Sequence, residues 1–246
     1  SFLAEFYDEL TRDVPYGKFA DFYKVIWDSY GIKPVTVLDL ACGTGTLTCE
    51  LARRGYELIS TDSSADMLSV LMDKASELEG CVMPLVLNQS MTDLDLYDVL
   101  SAATCSLDGI TYVPESDLGE VFRRLRLFIE PGGVLIFDVN SPCKLKSLDG
   151  QAFVDETENV FCVWRTELDK KASSVRYGMD IFIKNGQSWI REQEEHREFI
   201  HEPAMLSDKL RQNGFGEIRL WGDLKTEVPG PEEQRIFISA RRMRTE

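Results

Sequence analysis

Between residues 34 and 140, short apolar runs alternate with longer stretches of helical spacing. Residues 35–40 are rich in β-branched side chains and predict a strand that ends in a glycine turn. Residues 45–54 carry apolar side chains at helical spacing and stop at Gly55, a residue suited to closing a helix C-terminus. A second strand is predicted at 56–61, a helix at 64–79, and further strands at 81–87 and 97–103. A helix over 116–129 is halted by Pro131-Gly132-Gly133, and 134–139 is another apolar strand. Strands alternating with helices imply right-handed crossovers and a parallel sheet covered on both faces. The expected fold is therefore α/β and doubly wound.

The pattern changes after Asn140. Residues 153–200 read as alternating, acid-rich segments at 160–165, 175–183 and 188–199, joined by turns at 169–171 and 184–186. The second turn carries an Asn-Gly hairpin signal. This stretch is expected to be an antiparallel sheet inserted into the α/β domain. Pro203 and Gly214 mark the start and stop of a helix, and 217–221 and 235–240 predict two strands that return to the main sheet. Residues 2–30 read as one or two amphipathic helices interrupted at Pro15-Tyr16-Gly17. The expected organisation is an N-terminal helical segment over 1–33, an α/β domain over 34–142 and 201–246, and an antiparallel cap over 143–200.

A length of 246 residues suits one domain with such an insertion. Lys and Arg number 27 against 42 for Asp and Glu, a net charge of −15. That balance works against binding nucleic acid or an anionic membrane, where phosphate neutralisation dominates. Six scattered cysteines without a C-x-x-C pair, and only two histidines, assemble no metal site. Reduced thiols and a cytoplasmic location are expected. Residues 1–10 lack a basic region followed by an apolar stretch, and no window approaches the roughly 18 apolar residues of a membrane-spanning helix.

The most informative stretch is Val37-Leu-Asp-Leu-Ala-Cys-Gly-Thr-Gly-Thr46. A strand enters a turn with glycines at 43 and 45, then a helix begins, at the carboxyl end of the first strand where open α/β sheets bind ligands. A dinucleotide fingerprint needs a third glycine, and Thr48 stands there instead. Asp39 would also repel a pyrophosphate but would favour a cationic ligand without phosphates. No P-loop sequence occurs. Asp62 ends the second strand about 20 residues past the turn, where an acid can accept both hydroxyls of a ribose; capping the next helix is its alternative use, open equally to Ser63 and Ser64. Asn88-Gln-Ser-Met91 follows the third strand and could read the edge of an adenine and cover its face.

These residues resemble the class I S-adenosylmethionine-dependent methyltransferases. Residues 37–45 look like their motif I, Asp62 like their ribose-binding acid, and Pro131-Gly132-Gly133 like the approach to their fifth strand. Tyr7-Asp8 and Asp13-Val14-Pro15-Tyr16 resemble a bacterial small-molecule branch with an antiparallel cap after strand five. The resemblance implies a Rossmann-like seven-stranded sheet with its last strand antiparallel, and S-adenosyl-L-methionine as cofactor. It implies that Asp39 and the backbone at Ala41 and Gly43 hold the methionine portion, and that Gly45 permits close approach. Asp62, with Ser63 beside it, would hold the ribose, and Met67 and Met91 would cover the adenine. Tyr7 and Tyr16 would approach the methionine end, with the N-terminal segment over the cofactor. Cys105 to Asp108 would face the transferring methyl. Relatives often carry an Asp toward the adenine amino group where this chain has Ser90, so adjusted adenine recognition is expected.

Methyl transfer from a sulfonium needs proximity, orientation and a pocket that disperses charge; a base is needed only if the nucleophile arrives protonated. The expected reaction is transfer to an oxygen or nitrogen of a small-molecule acceptor. Candidate polar groups on the acceptor side are Tyr16, Asp108, Tyr112, Asn140, Glu195 and His196, with Tyr16 and His196 as catalytic candidates. For His196 the competing use is a solvated strand face. Cys105 and Cys143 lie in Thr-Cys and Pro-Cys settings that suit pyrimidine methylation through a thiolate, or serve simply for packing. A nicotinamide-dependent oxidoreductase and a non-catalytic cofactor-binding protein of the same fold remain the alternatives.

Overall fold

The computed structural model describes residues 3–244; Ser1, Phe2, Thr245 and Glu246, including the expected start of the first helix at Phe2, lie outside the described residues. Along the chain come α1 (Leu3–Leu10), α2 (Tyr16–Ser29), β1 (Thr36–Leu40), α3 (Thr46–Arg53), β2 (Glu57–Asp62), α4 (Ala65–Ser76) and β3 (Leu85–Asn88). Then follow β4 (Leu100–Cys105), α5 (Glu115–Phe128), β5 (Ile129–Asn140), α6 (Pro142–Ser147), β6 (Ala152–Glu156), β7 (Val160–Asp169), β8 (Ser174–Asn185) and β9 (Ser188–Phe199). The chain closes with α7 (Pro203–Gln212), β10 (Phe215–Trp221) and β11 (Arg235–Arg242).

Seven strands form one sheet in the order β10-β11-β5-β4-β1-β2-β3, with β11 antiparallel to both neighbours. Its central strands are buried on both faces, which is why they read as nearly continuous apolar runs. Val37, Ala102, Val134, Ile136 and Phe237 face α2 and α3 on one side; Leu38, Leu40, Ala103, Leu135 and Phe137 face α5 and α7 on the other. Each fully buried valine, leucine, isoleucine or phenylalanine among them stabilises the fold by roughly 1.5–3 kcal/mol.

Several strand boundaries differ from the sequence reading, and β6 is a strand that it did not give. Residues 81–84 are irregular and β3 starts at Leu85; Val82 and Met83 are exposed. Fully exposed Tyr97 lies outside β4, which starts at Leu100. Helix α5 ends at Phe128, ahead of the Pro-Gly-Gly sequence, and β5 already pairs with β4 at Ile129 before a register shift. Gly133 sits in that irregularity, where a Cβ would lie 2.9 Å from the Ser101 carbonyl oxygen.

The second sheet, β6-β7-β8-β9, is antiparallel throughout and lies between α6 and α7 in sequence. Its two-residue β8–β9 turn centres on Gly186 and Gln187, one residue later than the Asn-Gly signal, with Gly186 left-handed. One face carries Val160, Cys162, Met179, Ile181 and Ile183 and packs on Phe6, Tyr7 and Leu10 of α1 and on Met67 of α4. Helix α1 is thus held between the small sheet and the α/β layers, directly beside the glycine turn. Among the described residues no helix is long and apolar enough to cross a membrane.

Candidate functional site

Strand β1 delivers Asp39 to the foot of the turn at residues 41–45. Ala41, Gly43 and Gly45 all have positive φ, at 55°, 56° and 71°. For Ala41 this costs about 1–2 kcal/mol, a strain of the kind that clusters at functional sites. The two glycines serve different ends. A Cβ on Gly43 would meet nothing within 4 Å, so that residue opens onto the cleft; on Gly45 it would lie 2.0 Å from Leu71 Cδ1. Gly45, expected to permit approach of a ligand, instead permits approach of α4.

Two carboxylates flank the turn. Asp39 is 1% exposed beneath it, and accepts from Thr48 Oγ1 at 2.6 Å and more weakly from Thr104 Oγ1 at 3.4 Å. Burial pushes its pKa up to about 6, against the pull of those hydroxyls. Thr48, in the sequence only a missing third glycine, is the residue that satisfies Asp39. Asp62 accepts the Gly43 N–H at 2.9 Å through one oxygen and the Ser64 N–H at 2.8 Å through the other. A carboxylate has about four acceptor positions, so two remain for incoming hydroxyls. Helix α4 is capped by Ser64, whose Oγ accepts from the Met67 N–H, and Ser63 is exposed beside Asp62.

Across the cleft, the Ser90 hydroxyl donates to Asp93 Oδ2 at 2.7 Å and accepts from Thr92 Oγ1 at 3.0 Å, which leaves one lone pair available to an amino group. A Cβ at Gly109 would lie 2.9 Å from Cys105 Sγ, 3.2 Å from Ala41 Cβ and 3.9 Å from Met91 Cε, so these three converge under one backbone segment. Cys105 itself is 1% exposed and packed into the sheet core, and burial pushes its thiol up. It lines the floor through packing; it neither faces the cleft nor supplies a thiolate. Cys143 is exposed on α6.

Helix α1 is fastened to the turn. Asp8 accepts from Thr44 Oγ1 at 2.6 Å and Thr46 Oγ1 at 3.0 Å through one oxygen, and pairs with Lys74 Nζ at 2.6 Å through the other. Burial pushes the Tyr7 hydroxyl up, with Tyr16, Asp108, Asp62 and Asp8 adding. Tyr16 opens α2; its hydroxyl donates to Thr11 Oγ1 at 3.1 Å, and it lines a cavity of about 370 Å³ with Asp8, Thr46 and Lys74.

Past β4 the chain takes two left-handed residues, Leu107 and Asp108, whose N–H groups both donate to the carboxylate of buried Asp138, at 2.8 and 2.9 Å. Arg235 pairs with Asp138 and also with Asp108, at 3.0 Å. Beyond Asp108 the small sheet contributes Glu198, buried, accepting from Asn140 Nδ2 at 2.9 Å; Lys144 Nζ donates to Asn140 Oδ1 at 2.7 Å. Burial, with Asp108 adding, pushes Glu198 up to about 7, while Asn140, Tyr177 and Lys144 pull the other way. Burial also pushes the hydroxyls of Tyr112 and Tyr177 up and pulls Lys144 down.

Of the acceptor-side candidates, Asp108, Tyr112, Asn140 and His196 come together here, His196 through an edge-on ring contact with Tyr112 at 6.2 Å and a 3.1 Å contact with Glu194. Glu195 does not: alternation along β9 turns it outward, and it is exposed. Glu198, Tyr177, Lys144, Asp138 and Arg235 were missed as polar candidates. Period-2 alternation from His196 puts Glu198 on the same face and was the available signal.

A family model described as a methyltransferase domain matches residues 37–133. A Bacillus subtilis (strain 168) protein named "Putative methyltransferase YqeM" is 28% identical over 98% of this chain and 96% of its own. The crystal structure of an S-adenosylmethionine-dependent methyltransferase from Clostridium acetobutylicum ATCC 824 superposes with a TM-score of 0.87, at 27% identity over 98% of both chains. The sugar N-methyltransferase KedS8 from Streptoalloteichus sp ATCC 53650 shares the fold, with a TM-score of 0.78 at 20% identity over 96% of this chain and 91% of that one.

Proposed function

We propose that this chain, which belongs to the class I S-adenosylmethionine-dependent methyltransferases, moves a methyl group from S-adenosylmethionine to an oxygen or nitrogen of a small-molecule acceptor. The observation that carries the reading is the pair of carboxylates around the glycine turn. Asp39 lies beneath it and Asp62 beside it, with open space over Gly43. A pyrophosphate would be repelled there, whereas a cationic sulfonium and α-ammonium would be drawn in.

The residues fit the cofactor end to end. Asp39, Ala41 and Gly43 hold the methionine portion, with Tyr7 and Tyr16 closing it from the N-terminal helices. Asp62 and Ser63 hold the ribose; Met67, Ser90 and Met91 surround the adenine. Gly45 and Cys105 form the frame beneath. The bound cofactor supplies an activated methyl group on sulfur. The chain's part is to orient that group toward Asp108 and the small sheet, and to exclude water around it. In this arrangement Tyr16 serves the methionine end, and His196 stands at the acceptor mouth.

Calorimetric titration with S-adenosylmethionine, S-adenosylhomocysteine and NAD tests the reading. Micromolar binding of the two sulfur ligands without NAD is expected; NAD binding without them would overturn it.

A further inference from the structure

We propose that the acceptor is an amine and that Glu198 is the group that receives its proton, resting this on the methyltransferase reading above. Glu198 is delivered by β9 to the inner face of the small sheet, buried opposite Asp108. One of its oxygens is fixed by the Asn140 amide at 2.9 Å, and that amide is itself oriented by Lys144 at 2.7 Å. The Tyr177 hydroxyl also donates to this carboxylate; a carboxylate held by a neutral amide and a neutral phenol keeps its charge available to a substrate.

The surroundings select among acceptors. The Arg235 guanidinium is spent on Asp138 and Asp108, and Lys144 is directed at Asn140. The phenols of Tyr112 and Tyr177 lie near both Glu198 and Asp108, and that of Tyr7 lies near Asp108. Carboxylates and electron-rich rings draw in an ammonium; they give a neutral alcohol little and repel a carboxylate. Trp164, opposite Met179 on the inner face of the small sheet, has a buried indole N–H without a partner among the described residues, a donor left over for the rest of the acceptor.

The chemistry also favours nitrogen. An amine arrives as an ammonium and has no lone pair until one N–H proton leaves. With Glu198 at about 7, an alkylammonium near 10.4 lies about 3 pK units above it, whereas a hydroxyl near the 15.7 of water lies about 9 above. Glu198 takes the proton, and the freed lone pair forms the N–C bond. The C–S bond breaks with its electrons remaining on sulfur. The product leaves as a methylammonium, and Glu198 returns its proton to solvent.

The groups facing Glu198 are Asp108 after β4, Tyr112, Asn140 at the end of β5, Lys144 on α6 and Tyr177 on β8, with His196 two residues away on its own strand. The test uses the full chain saturated with S-adenosylhomocysteine, titrated with benzylamine, cyclohexylamine and butylamine, each against its matching alcohol. Methyl transfer to the same probes from S-adenosylmethionine is followed from pH 5.5 to 9. Amines should bind at least tenfold tighter than their alcohols and alone be methylated. In kcat/KM a limb should rise through about pH 7, and it should persist in His196→Gln. Glu198→Gln should keep S-adenosylhomocysteine affinity, lose the limb and drop kcat/KM by roughly 100-fold or more. Alcohols bound or methylated as well as amines, no probe bound while S-adenosylhomocysteine binds, or an unaltered Glu198→Gln would each overturn the proposal. Failure of S-adenosylhomocysteine to bind would instead remove the cofactor reading on which it rests.

Discussion

The carboxylate of Asp62 accepts the backbone N–H of Gly43 at 2.9 Å, so the end of β2 fixes the shape of the turn after β1. The same carboxylate therefore shapes the cleft and, in our reading, receives the ribose. Asp62→Ala removes both functions. Two hydrogen bonds from ribose to a charged acceptor, together about 3 kcal/mol, predict roughly 100-fold weaker binding of S-adenosylhomocysteine. Asp62→Asn, which keeps one acceptor oxygen, should fall between that variant and the wild type by calorimetry. Unchanged affinity in Asp62→Ala would place the ribose elsewhere.

Asp39 makes cofactor binding depend on pH. Its folded pKa, about 6, lies above the ordinary 3.8 because burial disfavours the charged form. Ionising it in the folded protein therefore works against stability as pH rises through 6, and the free protein gains relative stability from this group as pH falls from 6 toward 4. A cationic ligand reverses the balance by favouring the carboxylate. Binding of S-adenosylmethionine should release a proton near pH 6 and weaken as pH falls below it. Titrations at pH 5 and 7.5 in two buffers of different ionisation enthalpy would reveal both effects; equal affinity and no proton release would detach Asp39 from the cofactor.

The Asp8 clasp predicts that α1 is a cofactor element as well as a covering helix. Its ion pair with Lys74 is partly exposed, at 41% and 27% for the two side chains, so screening keeps it modest. With the two threonine hydrogen bonds, Asp8→Ala should cost about 1 kcal/mol, or roughly fivefold in S-adenosylhomocysteine affinity. Tryptic cleavage after Arg12, in the link between α1 and α2, should quicken in the variant and be suppressed by ligand. Cleavage indifferent to both would mean that α1 is held by the small sheet alone.

How far the sequence carried depended on the range of the cause. The α/β order, the antiparallel insertion, the glycine turn and Asp62 follow from local signals: period, punctuation and a strand that runs into two glycines. Helix α6 was missed although Ser141-Pro142 marks a helix start, because a six-residue helix has too little periodicity to register. Glu198 was hidden among the charges of 191–198, where only pairing with β8 shows which alternate residues turn inward. Thr48 looked like a defect in a fingerprint until Asp39 was seen to need its hydroxyl. Long-range partners of this kind carry no mark at their own position.

The contrast between Gly43 and Gly45 gives the sharpest separation of binding from folding. Both have positive φ, so alanine at either costs about 1–2 kcal/mol in backbone strain. At Gly45 the new methyl would also meet Leu71 Cδ1 at 2.0 Å, and overpacking of a tight contact adds about 1–3 kcal/mol. Gly45→Ala should therefore lower the melting temperature by about 6–15 °C in a chain of this size. At Gly43 the methyl would enter open space that, in our reading, the methionine end fills. Gly43→Ala should lose only about 3–6 °C but at least tenfold in S-adenosylhomocysteine affinity. Thermal melts with and without ligand distinguish the two: ligand should raise the midpoint of Gly45→Ala as it does the wild type, and barely move that of Gly43→Ala. The reverse pattern would mean that the cofactor approaches the turn over Gly45.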